Sequence, residues 1–192
     1  FESAIMAYLA RINEENTSVT IGIPVLNRST KKEKSTVGMY ISTMPLTVPV
    51  SRQMTAAELC EEITSAHREI FRHQKYPYQN ILQMIREKYN FSGSLFDVMV
   101  SYQNTKTEAS GKTEWYSNGY SETPLELHID NRDSTSHYTV TVDYQTELFS
   151  SFAEIELLVN RIVGIIRQVI SAPDTTVEQL DILTESEKQK VI

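Results

Sequence analysis

The run HQKYPYQNIL, His73 to Leu82, places one histidine, two tyrosines and a proline within ten residues. It reads either as a reactive site or as a turn between two helices. Upstream, Thr55 and Glu58 stand in capping-box spacing, and Leu59, Ile63, Ala66 and Ile70 follow at intervals of 4, 3 and 4. Such a pattern predicts an amphipathic helix that ends near His73. A histidine there meets the negative end of the helix dipole, and Pro77 blocks continuation. A shorter helix is then predicted from Tyr78 to about Lys88. His73 has the intrinsic pKa range of a general base, but its position favours a structural role.

Working outward, SVTIGIPV at 18–25 is β-branched and reads as a strand. The stretch 26–36 reads as a polar, basic loop, and Val37 to Val48 as a second strand, with Pro45 marking an edge or a bulge. SLFDVMVSYQN at 94–104 reads as a strand buried on both faces. The polar stretch 105–121, which holds Trp115, reads as a long loop or arm. Strands are expected at 123–130 and 136–146, joined by the hairpin loop DNRDSTS, with Tyr138, Val140, Val142 and Tyr144 sharing a face. Ser151 and Glu154 open a last long helix with Ile155, Leu158, Ile162, Ile166 and Val169 on its stripe. Beyond Pro173 the chain is expected to loosen into a linker, ending in TESEKQKVI with Thr184 and Glu187 in capping-box spacing. The opening helix, with Ile5, Leu9 and Ile12 on one face, lacks a cap, so the chain reads as a piece of something longer. Without a strict βαβ alternation, the class is α+β, a mixed sheet with flanking helices.

The net charge of −7, from 18 basic and 25 acidic side chains, argues against nucleic acid as a partner. No apolar run nears the roughly 20 residues of a membrane span, and a cytoplasmic protein is expected. With Cys60 as the one cysteine, intrachain disulfides and thiolate metal clusters are excluded. The four histidines, at 67, 73, 128 and 137, show no HxxxH or HExxH spacing, so no metal site is expected. Glu126, His128 and Asp130 share a strand face that could bind metal, although a solvated face is the commoner outcome. Cys60 follows Leu59 toward the core and reads as a buried, inert thiol. Glu61, Glu62 and Glu69 read as a polar helix face. Lys31, Lys32 and Lys34 form a solvated loop that could meet an acidic partner. No glycine-rich phosphate loop or GxSxG elbow is present.

Several stretches in order carry a resemblance: TIGIPVLNRS, VGMYISTMPL, HQKYPYQNIL, SLFDVMVSYQN, PLELHI and VDYQTELFS. Together they resemble the second, C-terminal lobe of a nonribosomal peptide synthetase condensation domain, across essentially the whole chain. In the family's (I/V)GxFVNTQxxR pattern, Val37, Gly38 and Thr43 match. Ser42 stands for asparagine, Met44 for glutamine and Thr47 for arginine. In (H/N)QDYPFE, the residues His73, Gln74, Tyr76 and Pro77 match, and Lys75, Tyr78 and Gln79 depart.

The resemblance implies a chloramphenicol acetyltransferase-like half-domain at 1–172, followed by a linker toward an adenylation domain at 173–192. The parent forms peptide bonds between aminoacyl or peptidyl thioesters held on carrier proteins by phosphopantetheine, with no cofactor bound directly. Its HHxxxDG motif belongs to the first lobe, and no adjacent histidine pair occurs in this sequence. The chain is therefore expected to carry no catalytic residue and to be inactive alone, with that lobe, carrier proteins and the adenylation domain as partners. Expected tunnel-wall residues are Tyr40, Ser42, Met44, Tyr102 and Asn104. Asn27, Arg28, Gly38, His73, Gln74, Tyr76 and Pro77 are expected to be structural. An epimerization domain, a standalone acyltransferase of the same superfamily and a non-catalytic carrier-binding module are the alternatives.

Overall fold

The computed structural model describes residues 1–13, 18–104, 116, 119–132 and 137–191. Its centre is a five-stranded mixed sheet in the order β2-β1-β3-β4-β5. The strands are β1 (Ser18–Val25), β2 (Ser42–Pro49), β3 (Val98–Gln103), β4 (Leu125–Asp130) and β5 (Thr139–Tyr144). The β1–β2 and β4–β5 pairs are antiparallel, whereas β3 runs parallel to both β1 and β4. The helices are α1 (Glu2–Ile12), α2 (Lys31–Ser35), α3 (Ala56–His73), α4 (Tyr78–Tyr89), α5 (Phe152–Ser171) and α6 (Glu185–Val191). This is the expected α+β class. Among the described residues no helix is long and apolar enough to cross a membrane.

Register explains the layering. Ile21, Ile23, Met44, Leu46, Val48, Val100, Leu127 and Ile129 project to one face, where they form a single core with α1, α3 and α5. Helix α1 contacts both α3 and α5. Its Ala4, Ala7 and Ala10 are buried, and these small side chains let neighbours approach on several sides. The expected α1 stripe holds only in part: Ile5 is buried, but Ile12 at the last turn is exposed. The opposite face carries Thr20, Gly22, Thr43, Pro45, Thr47, Met99, Glu126 and His128, which follow from strand alternation. Pro45 lies on the edge strand β2, the part of a sheet where proline is tolerated.

Four expectations are corrected. Residues 26–36 contain α2, because Thr30 and Glu33 form a reciprocal capping box. The second strand starts at Ser42, not Val37, and Val37, Met39 and Ile41 before it are exposed. The third begins at Val98, after a turn in which Ser94 Oγ donates to the Phe96 carbonyl at 2.8 Å.

The fourth correction concerns the segment after Pro173, which is strapped to the domain. Val177 and Leu180 are fully buried. The Val177 N–H donates to the Met54 carbonyl at 2.8 Å and the Glu178 N–H to the Arg52 carbonyl at 2.9 Å, while the Ala56 N–H donates to the Thr175 carbonyl at 2.9 Å. Arg11 donates to the carbonyls of Val177, Glu178 and Leu180, and Arg161 to the Glu187 carboxylate. These polar ties and the two buried side chains hold a segment that its composition alone would leave free. Thr184 and Glu187 do open α6, with the Thr184 N–H donating to Glu187 at 2.9 Å.

Candidate functional site

The signature residues converge on one bracket beside β2. Asn27 takes a left-handed conformation, φ 52°, which asparagine tolerates better than most residues. Its N–H donates to Gln74 Oε1 at 3.1 Å, and its carbonyl accepts from Lys75 Nζ at 2.7 Å. Arg28 reaches across the loop to the carbonyls of Thr36 and Gly38, both at 2.6 Å, and of Glu33, while its guanidinium stacks over Tyr40 at 4.3 Å. Gly38 sits at φ 152°, outside the range of most side chains. Glu33 accepts from the N–H groups of Thr30 and Ser29 and from Lys75 at 2.9 Å. The Thr30 N–H first, then Lys75 and the Ser29 N–H, hold its carboxyl down at about 2. His73 is exposed at the end of α3, and its carbonyl accepts from the Tyr76 N–H at 2.9 Å. The Tyr76 hydroxyl meets Met84 Sδ at 3.3 Å.

Beside this bracket lies an open cleft of about 410 Å³ that joins four distant stretches, one of them Glu122 and Thr123 just before β4. Ser42 and Thr43 come from β2, Pro77 and Tyr78 from the start of α4, and Ser94 and Phe96 from the turn before β3. Thr43 Oγ1 lies 3.9 Å from Met99 Sδ, and the Tyr78 hydroxyl accepts from the Leu95 N–H at 3.4 Å. Phe96 lies flat over Gly22: a Cβ there would stand 2.4 Å from the ring. Tyr78, Ser94 and Phe96 escaped sequence reasoning. A glycine inside a β-branched strand was the available signal, since it marks close approach by another group.

The expected tunnel residues disperse. Ser42 lines the cleft, but Met44 is buried in the core on the helix side of β2. Tyr40 precedes the strand and is held by Arg28, so it does not share a strand face with Ser42. Tyr102 packs on Phe1 and Tyr138, at centroid distances of 5.5 and 6.5 Å, away from Thr43. Asn104 is exposed beyond the end of β3. Cys60, expected to be buried, is exposed, because it lies off the Leu59–Ile63 stripe of α3. Trp115 and most of the expected arm fall outside the described residues.

The open face of β4 and β5 gathers a second polar group. Asp130 turns to Arg132, whose backbone N–H and Nε each donate at 2.8 Å, and the Arg132 hydrogen bonds hold its carboxyl below the usual range. His128 therefore does not pair with Asp130. Its Nε2 lies 3.3 Å from Asp143 Oδ2 on β5 and 3.6 Å from Glu126 Oε2.

A model of the family described as Condensation domain matches residues 1–192. Surfactin synthase subunit 1 of Bacillus subtilis (strain 168) is 30% identical over the whole chain, which spans 5% of that protein. Among solved structures, the first condensation domain of the calcium-dependent antibiotic synthetase, in complex with a substrate analogue, superposes with a TM-score of 0.76. It is 17% identical over 95% of this chain and 40% of its own. A four-domain nonribosomal peptide synthetase bound to AMP and glycine gives a TM-score of 0.79 at 16% identity, over 97% of this chain and 16% of its own.

Proposed function

The chain belongs to the condensation-domain family, and from that premise we propose that it is the second lobe of a peptide-bond-forming condensation domain. One observation carries this reading: the family match runs from 1 to 192, yet the sequence holds no adjacent histidine pair. The span of 40% of a solved condensation-domain chain is the share that one lobe would take.

In the parent reaction, the amine of an acceptor on one carrier attacks the thioester carbonyl of a donor on another. The C–N bond forms, the C–S bond breaks, and the amine proton leaves as the donor carrier's phosphopantetheine thiol is released. This chain holds neither reactant covalently; its part is positioning. The cleft at Ser42, Thr43, Tyr78 and Phe96 supplies one wall of the passage, fixed by the Arg28 bracket. Tethering both reactants to carriers then raises their effective concentration, and a rigid wall limits their approach angles. The strapped segment after Pro173 leads toward an adenylation domain.

Reconstitution tests the proposal. The chain would be supplied, fused or in trans, with a family first lobe carrying HHxxxDG, and with loaded donor and acceptor carriers. Dipeptide should form with both lobes and not with this chain alone. Turnover by the chain alone would overturn the assignment. Inversion at Cα of the carrier-bound aminoacyl group, with the thioester intact and no amide formed, would favour an epimerization domain instead.

A further inference from the structure

We propose that Glu126, His128 and Asp143 form a binding site for a divalent, zinc-like cation on the open face of the β4–β5 pair. This rests on the register and side chains of two strands and is independent of the proposed function.

Glu126 and Asp143 are direct partners across the antiparallel pair, and His128 lies one step along on the same face. Two carboxylates placed opposite one another repel unless something positive sits between them. The imidazole supplies Nε2 toward both, at 3.3 and 3.6 Å, longer than a charge-assisted N–H···O bond of about 2.7–2.9 Å. Tetrahedral zinc with bonds of about 2.0–2.2 Å sets neighbouring ligand atoms about 3.3–3.6 Å apart. One donor atom from each residue lies within 4.8 Å of the other two. The spacing suits a cation between the three groups better than direct hydrogen bonds among them.

The surroundings fit as well. Ser121 Oγ lies 2.6 Å from Glu126 Oε1, which leaves Oε2 directed at His128. Gln145 Nε2 donates to the Ser121 carbonyl at 3.0 Å, tying that outer contact to the end of β5. Such outer hydrogen bonds orient carboxylate ligands and tune affinity. Side-chain exposure is 12% for His128, 18% for Glu126 and 41% for Asp143, so the group is sheltered yet reachable. It opens onto a cleft of about 940 Å³, from which a water could complete the fourth position. One imidazole and two carboxylates suit zinc among the borderline divalent ions.

The test is calorimetric titration of Zn²⁺ into the 192-residue chain after chelator treatment, repeated with Mg²⁺. The expected result is one saturable zinc site, little magnesium binding and a zinc-dependent rise in melting temperature. His128→Gln should weaken zinc binding about 100-fold and Glu126→Gln at least about tenfold. Ser121→Ala should weaken it about tenfold through the outer contact, and Cys60→Ser should leave it unchanged. Retention of the His128 imidazole ¹⁵N shifts on zinc addition, or zinc binding that survives both ligand substitutions, would overturn the proposal. If His128→Gln does not fold, as read by circular dichroism in chelator, Glu126→Gln decides by the same criterion.

Discussion

The two polar regions of this domain, the bracket beside β2 and the charged face of β4–β5, are built on opposite principles. In the bracket, Arg28, Gln74 and Lys75 spend their donors on main-chain or neighbouring side-chain acceptors, so its polar groups hold the fold of a loop. On the β4–β5 face, Glu126, His128 and Asp143 turn toward one another across strands. The first region carries the recognisable motif, yet the second has the spacing of a ligand site. A sequence signature can mark what holds a loop shut and pass over what lies ready for chemistry.

Arg28→Ala should break the comparison hardest. It removes charge-assisted bonds to three carbonyls and a stacking contact, for a loss of about 2–3 kcal/mol. Denaturant unfolding would read that loss, and amide exchange should quicken across 26–41 first. Arg28→Lys should recover little, since an ammonium cannot present the planar fork that spans these carbonyls. Unchanged exchange in the loop would show that the bracket is ornamental.

On the other side, Asp143→Asn in the chelated chain should change stability by no more than about 1 kcal/mol, the scale of a cross-strand pair. A loss equal to that of Arg28→Ala would make the two regions alike and assign the β4–β5 cluster to fold maintenance.

The smallest effect concerns acid. Glu33 is half-buried, and its folded pKa of about 2 lies below its ordinary 4.5. Its stabilising share is therefore present above about 4.5 and is lost as pH falls toward about 2. Glu33→Gln should flatten that part of the acid unfolding curve, with solvent screening keeping the change small. An unaltered curve would remove Glu33 from the bracket's electrostatics.

What was legible in the sequence follows from range. Strand β1 and helices α3, α4 and α5 were readable because periodicity and capping pairs such as Thr55–Glu58 and Ser151–Glu154 act within a few residues. The same capping rule would have found α2 at Thr30–Glu33, had the lysines not suggested a solvated loop. The bracket was legible as a motif, but not as one network, since Asn27 meets Gln74 and Lys75 only in three dimensions. Alternation along β4 put Glu126 and His128 on one face, but it offered Asp130 as the third member. Only register shows that Asp143 takes that place, because Arg132 has already claimed Asp130.

The strap after Pro173 has a consequence for recombination. A splice designed from composition alone would fall at Pro173, where the sequence turns polar and reads as a linker. A splice there would exchange Val177 and Leu180, two fully buried side chains, for whatever the incoming partner supplies. Arg11 would keep its three main-chain acceptors only where the graft follows the same path. Chimeras joined beyond Lys188 keep Val177, Leu180 and the Glu187 carboxylate that Arg161 grips, and their soluble yield should exceed that of chimeras joined at Pro173.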